Sequence, residues 1–318
     1  MLLYCGKRLL LMIPVILGVI IFVFLFQSLA PGDLVDAMYA DATPERQAEL
    51  RAAYGLNDPI VVQCGRYIWN LVTKFDMGQS FRTGNSVSQE LLSRFSYTLI
   101  LAFGGVGVGM LLGIPLGILA AVKQYSWLDS TILTGTVVGS SIPNFWLALL
   151  LLWLFAVILG WVPVSGVSNV KGWILPMITV MIPSMSMLAR ITRASMLESI
   201  RQDFVRTARA KGQKEYLIVI KHALRNSIMP IISTIGNSFG VQLGGALIAE
   251  TIFAIPGVGR YAVTAVNTRD FNAVCGSVIL LAMAFSVVNL LVDVCYVLVD
   301  SRMKTNFTTT RRAIRRLV

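Results

Sequence analysis

The sequence predicts an all-α polytopic membrane protein with six transmembrane helices. Of its 318 residues, 56% are hydrophobic and only 14% are charged, and the mean hydropathy is +0.73. Because a soluble domain carries about a quarter charged residues, this chain lacks the charge to coat a soluble surface. Disordered and collagen-like classes are excluded by the same composition. Continuous apolar runs, without the alternation of a barrel strand, exclude a transmembrane barrel.

Uncharged stretches position the six helices. A helix of about 20 residues crosses the roughly 30 Å hydrocarbon core of a membrane, and each stretch is close to or above that length. The longest stretch, 130–170, holds one span because Gly160 and Pro163 break the helix that precedes them. After a first span within 1–30, the spans are predicted at 95–122, 131–159, 172–190, 228–254 and 274–300.

The distribution of bases predicts that both chain ends are cytoplasmic. Lys7 and Arg8 precede the first span, and six crossings return the C-terminus to the same side. This orientation places 18 of the 27 bases inside with five acids, a net charge of +13, while the outer segments carry nine bases and nine acids. The positive-inside rule favours it. The overall charge of +11 therefore indicates topology rather than nucleic-acid binding.

The chain is thus predicted to have four parts: the N-terminus and first span at 1–30, an extracytoplasmic segment at 31–94, a membrane core at 95–302, and a basic cytoplasmic tail at 303–318. The first span could also be a signal peptide, but its apolar part exceeds the usual roughly 7–15 residues. In the outer segment, Thr43 as N-cap and Pro44 in the first turn predict a helix that runs to Tyr54. The segment is small for an independent domain, so it is expected to dock on the helices or on an outside partner.

Several chemistries are absent from the sequence. Its four cysteines have no paired spacing, and His222 is the only histidine, so no zinc site, disulfide framework or other metal site is predicted. A membrane-embedded hydrolase would need histidine within the membrane, whereas His222 falls in a predicted cytoplasmic loop. The only Gly-Lys pair, Gly6-Lys7, lacks the rest of a phosphate-binding loop. We therefore predict no catalytic residue and no ATP site in this chain.

Two predicted spans carry glycines four residues apart. Small residues at this spacing form a smooth stripe on which another helix can approach closely. The stripes are therefore predicted to pack helices; they are Gly105, Gly109, Gly113 and Gly117 in the second span, and Gly236, Gly240 and Gly244 in the fifth.

The long inner loop, 191–227, is basic, but its residues follow a pattern that predicts folded structure. Its small residues precede Gly212, which can adopt positive φ and end a helix, and apolar residues at helical spacing follow. Two short helices joined at this glycine would project a compact knob into the cytoplasm. A loop that only binds anionic membrane lipid needs no such order. The candidate coupling residues are Arg206, Thr207, Ala208, Arg209, Ala210, Lys211, Gly212, His222, Arg225 and Asn226.

This loop resembles the cytoplasmic coupling loop of ABC importer permeases of the dipeptide, oligopeptide, glutathione and nickel branch. The resemblance rests on the Ala-Arg-Ala-Lys-Gly run at 208–212 and the His-Ala-Leu-Arg-Asn run at 222–226. It extends along nearly the whole chain, with further matches at 31–33, 55–59, 141–146, 159–163, 192–196, 250–257 and 289–293. The glutamate that begins the general coupling motif is absent here, as is common in this branch. The polar contact that this glutamate makes with the ATPase therefore cannot be assigned to a residue of this chain.

The resemblance implies a type I importer permease fold and a division of labour. A second homologous permease subunit would complete the pore, two cytoplasmic ATPase subunits would bind ATP and Mg, and an extracytoplasmic solute-binding protein would deliver the solute. The location implied is the cytoplasmic (inner) membrane of a bacterium or archaeon. Within this branch the expected cargo is a di- or oligopeptide, with nickel or a metal chelate as the alternative.

The outer end of the fifth span is the expected gate. Glu250 is a carboxylate near that end, where acids are expensive and face protein or water, and the Pro256-Gly257 break follows directly. Pro143 and Phe145 are further gate or pathway candidates. An ion-coupled secondary transporter is the rival class, but it usually has mid-membrane acids and internal repeats, and neither is evident here.

Overall fold

The computed structural model describes residues 2–29, 35–36, 39 and 41–299. Within these ranges the ordered elements are helical, and the only extended pairing is an isolated bridge between Gln79 and Ser86. The all-α prediction is therefore confirmed. The predicted basic tail at 303–318 and the Pro-Gly-Asp run at 31–33 lie outside the described residues.

The described residues contain twelve α-helices and two π-helical segments. The α-helices are α1 (Leu2–Leu29), α2 (Pro44–Ala53), α3 (Ile60–Lys74), α4 (Val87–Val122), α5 (Trp127–Ser141), α6 (Asn144–Leu151), α7 (Val170–Ile200), α8 (Asp203–Ala210), α9 (Glu215–Leu217), α10 (Arg225–Ile252), α11 (Val258–Asn267) and α12 (Phe271–Val299). The π-helical segments are Leu152–Ile158 and Ile218–Leu224.

Three of these helices are long and apolar enough to cross a membrane: Val87–Val122, Val170–Ile200 and Phe271–Tyr296. Two bent pairs could each supply one more span, which gives up to five in the described residues. The apolar helix Leu10–Phe26 within α1 is shorter. The six-span count therefore stays a prediction.

The prediction of one continuous helix near 131–159 is wrong. The chain instead forms two helices, Trp127–Ser141 and Asn144–Ile158, that meet at 98°. The break falls at Pro143, which has no amide hydrogen and disfavours helical backbone at the residue before it. Ile142 is accordingly extended, with ψ at 124°.

Two boundaries also differ from the predicted spans. Helix α4 begins at Val87 rather than at 95, and α7 continues to Ile200 rather than ending near 190. Polar residues precede the apolar part of α4 and follow that of α7 without a helix breaker, so each helix extends into the charged sequence. The first ten residues of the expected inner loop therefore belong to α7.

The chain divides into two compact units. One comprises Met1–Ile100, Ser165–Ser168 and Leu243–Ser286, and is called the outer-segment unit here. The other comprises Leu101–Val164, Asn169–Gln242 and Val287–Val318, and is called the coupling unit. Long helices such as α4 contribute residues to both.

The core of the outer-segment unit is built around Phe24 of α1. Its ring lies 5.7 Å from that of Tyr67 on α3 and 4.8 Å from that of Phe271 on α12, both in edge-on geometry. Aromatic pairs prefer this arrangement. The predicted helix after Thr43 is confirmed, because α2 begins at Pro44 and the Thr43 hydroxyl accepts from the amide of Arg46 at 3.4 Å.

In the coupling unit, α4 packs closely on α7. A Cβ added at Gly113 would lie 2.6 Å from the main-chain oxygen of Met185, and one at Gly117 would lie 2.5 Å from that of Ala189. Gly105 and Gly109 face the same helix, at Val180 and at Met181. Only glycine permits two backbones to approach this closely.

Candidate functional site

The inner loop of the coupling unit folds as a compact knob, defined here as residues 203–224. Helix α8 ends at Ala210, Gly212 turns the chain with a left-handed backbone (φ +73°), and α9 leads into the π-helical segment Ile218–Leu224. This is the expected pair of short helical segments joined at a glycine. The amide of Gly212 donates to the carbonyl of Arg209 at 2.9 Å and closes the turn.

The knob has a small core of its own. Val205, Ala208 and Ile218 are buried together, and Ala208 is only 6% exposed. Ala208 is one of the predicted coupling residues, and its small side chain packs inside the loop; its part in coupling stays a prediction. Ala210 and Gly212, by contrast, are exposed.

Polar contacts hold the two halves of the knob together. His222 Nε2 and Gln213 Oε1 are 2.8 Å apart, and the Asn226 amide donates to the carbonyl of His222 at 2.8 Å. Arg209 binds Glu215 at two points, with distances of 3.1 and 2.6 Å. His222 therefore joins the π-helical segment to the turn at Gly212, which is a structural role.

The solvent side of the knob combines bases with exposed apolar side chains. Tyr216 is 59% exposed and Ile220 60%. The knob residues Arg206, Thr207 and Lys211 are exposed as well, and so is Arg225 directly after it. Exposed apolar groups beside charge mark protein contact surfaces more often than isolated ones do. The sequence indicated these apolar positions by their helical spacing, but it did not show which of them point outward.

The base of the knob is packed on the ends of two long helices. Val219 and Ala223 are buried with Ala121 of α4 and Met196 of α7. The hydroxyl of Ser227 bonds to α7 as well, through the carbonyl of Ser195 at 2.9 Å and the hydroxyl of Ser199 at 2.8 Å. The base of the knob is therefore in direct contact with both helices.

A buried ion pair that the sequence did not predict lies in the same unit. Arg193 of α7 donates to both carboxylate oxygens of Asp129, at 2.6 and 2.7 Å, and Asp129 is almost fully buried. Asp129 also accepts from the amide of Tyr125 at 2.9 Å, at the start of α5. The pair therefore fixes the loop between α4 and α5 to α7.

In the outer-segment unit, Glu250 is 0% exposed and fully hydrogen-bonded. Its carboxylate accepts from the Thr98 hydroxyl at 2.6 Å and from the amide of Arg260 at 2.9 Å. The Thr98 hydroxyl in turn accepts from the amide of Val258 at 2.9 Å. Glu250 and Thr98 thus satisfy two free amides at the start of α11, where the helix dipole also favours a negative charge.

The Pro256-Gly257 turn fits around this carboxylate. Ala254 has a left-handed backbone (φ +55°), which ends α10 and reverses the chain. Any Cβ at Gly257 would overlap the carboxyl group of Glu250, so glycine is required there. In this conformation Glu250 anchors α11 rather than lining an open path, and its assignment to a gate stays a prediction.

Replacing Glu250 with Gln should therefore change transport without preventing assembly. The amide keeps the shape, but only its oxygen can accept. In one orientation the Arg260 amide loses its acceptor, and in the other the Thr98 hydroxyl must accept rather than donate; losing a bond to a charged group costs about 1.5–3 kcal/mol. Solute uptake and solute-stimulated ATP hydrolysis in the reconstituted importer would measure the effect. Wild-type values of both would show that the anchor has no part in gating.

A polar cleft of about 250 Å³ opens beside this turn. Arg94 pairs with Glu90 at 2.9 Å and lies over the ring of Tyr261, 4.7 Å from its centre. Burial, followed by the nearby carboxylates of Glu90 and Asp270, raises the pKa of Tyr261 to about 12, so this hydroxyl is neutral at physiological pH. Arg82 and Arg260 also line the cleft, together with the carboxylates of Glu90 and Asp270.

The remaining candidates, for the gate and for helix packing, are divided between the coupling unit and the outer-segment unit. Pro143 and Phe145 lie at the 98° bend of the coupling unit, and both are exposed. Of the fifth-span glycines, Gly236 is buried against Val292 of α12, Gly240 is half-buried, and a Cβ on Gly244 would meet no atom within 4 Å among the described residues. In the part of the chain that the structure describes, Gly236 is therefore a close helix contact and Gly244 is not.

Comparison with known proteins agrees with this architecture. Residues 113–305 match the family described as the binding-protein-dependent transport system inner membrane component, and residues 1–102 match its N-terminal component. A putative peptide transport system permease of Brucella abortus is 39% identical over 94% of this chain and 98% of its own. A dipeptide transport system permease of Alkalihalophilus pseudofirmus is 36% identical over 96% and 100% of the two chains. A glutathione transport system permease of Salmonella paratyphi A is 39% identical over 96% and 99%.

Among solved structures, the MetNI methionine ABC transporter in inward-facing form is similar with a TM-score of 0.58 and 19% identity, over 67% of this chain and 97% of that one. This likeness confirms the type I importer permease fold. Family membership also excludes the secondary transporter and the hydrolase, since ATP is hydrolysed by separate subunits in such systems. With both family matches and relatives along nearly its whole length, the chain belongs to the binding-protein-dependent transport system inner membrane components, the permease subunits of ABC importers.

Proposed function

We propose that this chain forms half of the translocation pathway of a peptide importer and couples it to ATP hydrolysis through the knob at 203–224. As a family member it works with ATPase subunits and a solute-binding protein. The pairing with a second homologous permease and with two ATPases is part of the proposal. So is the topology, with six spans and both ends cytoplasmic.

The observation that carries the proposal is the construction of the knob. A loop that only anchored topology would need charge alone, whereas this one has a core at Ile218, exposed apolar groups at Tyr216 and Ile220, and a base packed on α4 and α7. These features are what a lever between a soluble partner and membrane helices requires. ATP acts on such a lever only if the bound state favours one conformation over the other.

A peptide cargo is supported by the names of the relatives, which are peptide, dipeptide and glutathione permeases. Nickel or a metal chelate is the other cargo class of the branch. Uptake of a labelled dipeptide and of nickel, by the importer reconstituted with its own binding protein, separates the two. Uptake of the dipeptide with no accumulation of nickel is expected, and the opposite pattern would contradict a peptide cargo.

Replacing Gly212 with Val tests the coupling role. A non-glycine residue in left-handed backbone costs roughly 1–2 kcal/mol, and more for a β-branched one. Since the position beside Gly212 is open in this chain, insertion should be normal while the turn that presents Ala210 is distorted. We expect the ATPase to co-purify poorly. If the strain weakens the contact with the ATPase, its affinity for the subunit should fall tens-fold or more, because about 1.4 kcal/mol is a factor of ten.

Gly84 supplies a matched control for this variant. It has the same left-handed backbone (φ +70°) and the same open space as Gly212, but it lies in the predicted extracytoplasmic segment. Gly84→Val should leave ATPase co-purification unchanged. Equal co-purification of the ATPase by both variants would show that the knob is an ordinary basic loop.

A further inference from the structure

One helix of the predicted extracytoplasmic segment exposes an apolar face. On α3, Val61 is 82% exposed, Trp69 and Val72 are each 68% exposed, and Phe75 at its end is 82% exposed. At about 100° per residue, Val61, Trp69 and Val72 fall within about 80° of one another on one side of the helix, and Phe75 directly follows its C-terminus. The opposite side, with Tyr67 and Leu71, packs into the core.

We propose that this face of α3 lies in the outer leaflet of the membrane, among lipid headgroups and the first part of the acyl chains. The proposal rests on the position of α1 in the proposed topology. It assigns α3 as an interfacial amphipathic helix, which holds the outer segment against the bilayer.

The level at which α3 packs on α1 supports this assignment. Tyr67 meets Phe24, which lies five residues before the end of α1 at Leu29. At 1.5 Å per residue this is about 8 Å before the last described residue of α1, on the half of α1 that faces outward in the proposed topology. On α1 itself, Phe26 and Leu29 are exposed beyond that level, so apolar surface continues outward past the contact with α3.

The residue types of α3 also fit a lipid surface better than a protein partner. It contains no acid, and its charged residues are Lys74, at the end of the helix, and Arg66, which pairs with Asp58. Trp69 has the amphipathic ring that concentrates at membrane interfaces. The neighbouring helix α2 shows the contrast, because it has no buried residue and carries Glu45 and Glu49.

Fluorescence quenching in vesicles tests the proposal. An environment-sensitive dye is attached at Val72→Cys or, as a matched control, at Lys74→Cys, in an otherwise cysteine-free chain within the complete importer. These two exposed positions are adjacent along the axis but about 200° apart around it. The vesicles contain phosphatidylcholine and phosphatidylglycerol, with a nitroxide-labelled lipid as the membrane quencher and iodide as the aqueous one.

We expect the dye at Val72→Cys to be quenched by the nitroxide lipid and severalfold less by iodide than the dye at Lys74→Cys. Equal iodide access at both sites would overturn the proposal, and so would shielding of Val72→Cys from both quenchers, which indicates a protein partner. Ile21→Cys on the exposed side of α1 separates the causes of failure. If the nitroxide lipid quenches the dye at Ile21→Cys but not at Val72→Cys, only the interfacial position of α3 is rejected. If it quenches the dye at neither position, the proposed topology is rejected as well.

Discussion

Gly113→Leu is expected to prevent stable folding of the subunit. A side chain at this position would enter the backbone of α7, since even a Cβ would lie 2.6 Å from the carbonyl oxygen of Met185. Overpacking a tight contact costs about 1–3 kcal/mol, and here the obstacle is main chain, which moves only if the whole helix shifts. The yield of monodisperse subunit and its thermal unfolding in detergent measure the loss.

Gly107→Leu is the control for this variant. Gly107 belongs to the same helix, but a Cβ there would meet no atom within 4 Å among the described residues. Both changes remove a glycine and so gain about 0.8–1.0 kcal/mol or less of helix propensity. The gain should be visible at Gly107 and outweighed at Gly113. Similar stability of the two variants would mean that α4 and α7 are not in close contact.

Arg193→Met should destabilise the subunit by about 3–5 kcal/mol, because it leaves the buried Asp129 carboxylate without its partner. Both oxygens of that carboxylate are bound by the guanidinium, and Asp129 is almost completely shielded from water. Unfolding in detergent, followed by the denaturant midpoint, is the measurement. The double variant Asp129→Asn, Arg193→Met removes the unpaired charge and should recover part of the loss.

The ion pair between Arg209 and Glu215 serves as the comparison. Its geometry is similar, but both side chains are about half exposed, and exposed pairs contribute only about 0–1 kcal/mol. Arg209→Met should therefore have little effect on unfolding. A loss for Arg193→Met no larger than that for Arg209→Met would show that the pair at Asp129 is not buried in the folded subunit.

The sequence predicted features that depend on neighbours along the chain. The helix after Thr43 and Pro44, and the break at Gly212, follow from local backbone preferences. The four-residue glycine repeat in α4 likewise indicated a close helix contact, although not that α7 would be the partner.

Contacts between residues far apart in the sequence could not be predicted from local patterns. Asp129 and Arg193 are 64 residues apart, and Thr98 and Glu250 are 152 apart, and nothing in a single sequence links such pairs. Helix α3 was missed for a different reason. Its charges interrupt the uncharged stretch that marks a membrane span. Its exposed side is apolar, so it also lacks the polar outer face by which a helix of a soluble segment is predicted.

The central claim is that the knob at 203–224 contacts the ATPase from the cytoplasmic side. A photo-crosslinking residue in place of Tyr216, which is exposed on the knob, tests it in the assembled importer. The matched position is Trp161, equally exposed but on the predicted outer side. The account predicts a crosslink from Tyr216 to the ATPase subunit and none from Trp161. Absence of the Tyr216 crosslink, or a crosslink of the ATPase to Trp161, would contradict it.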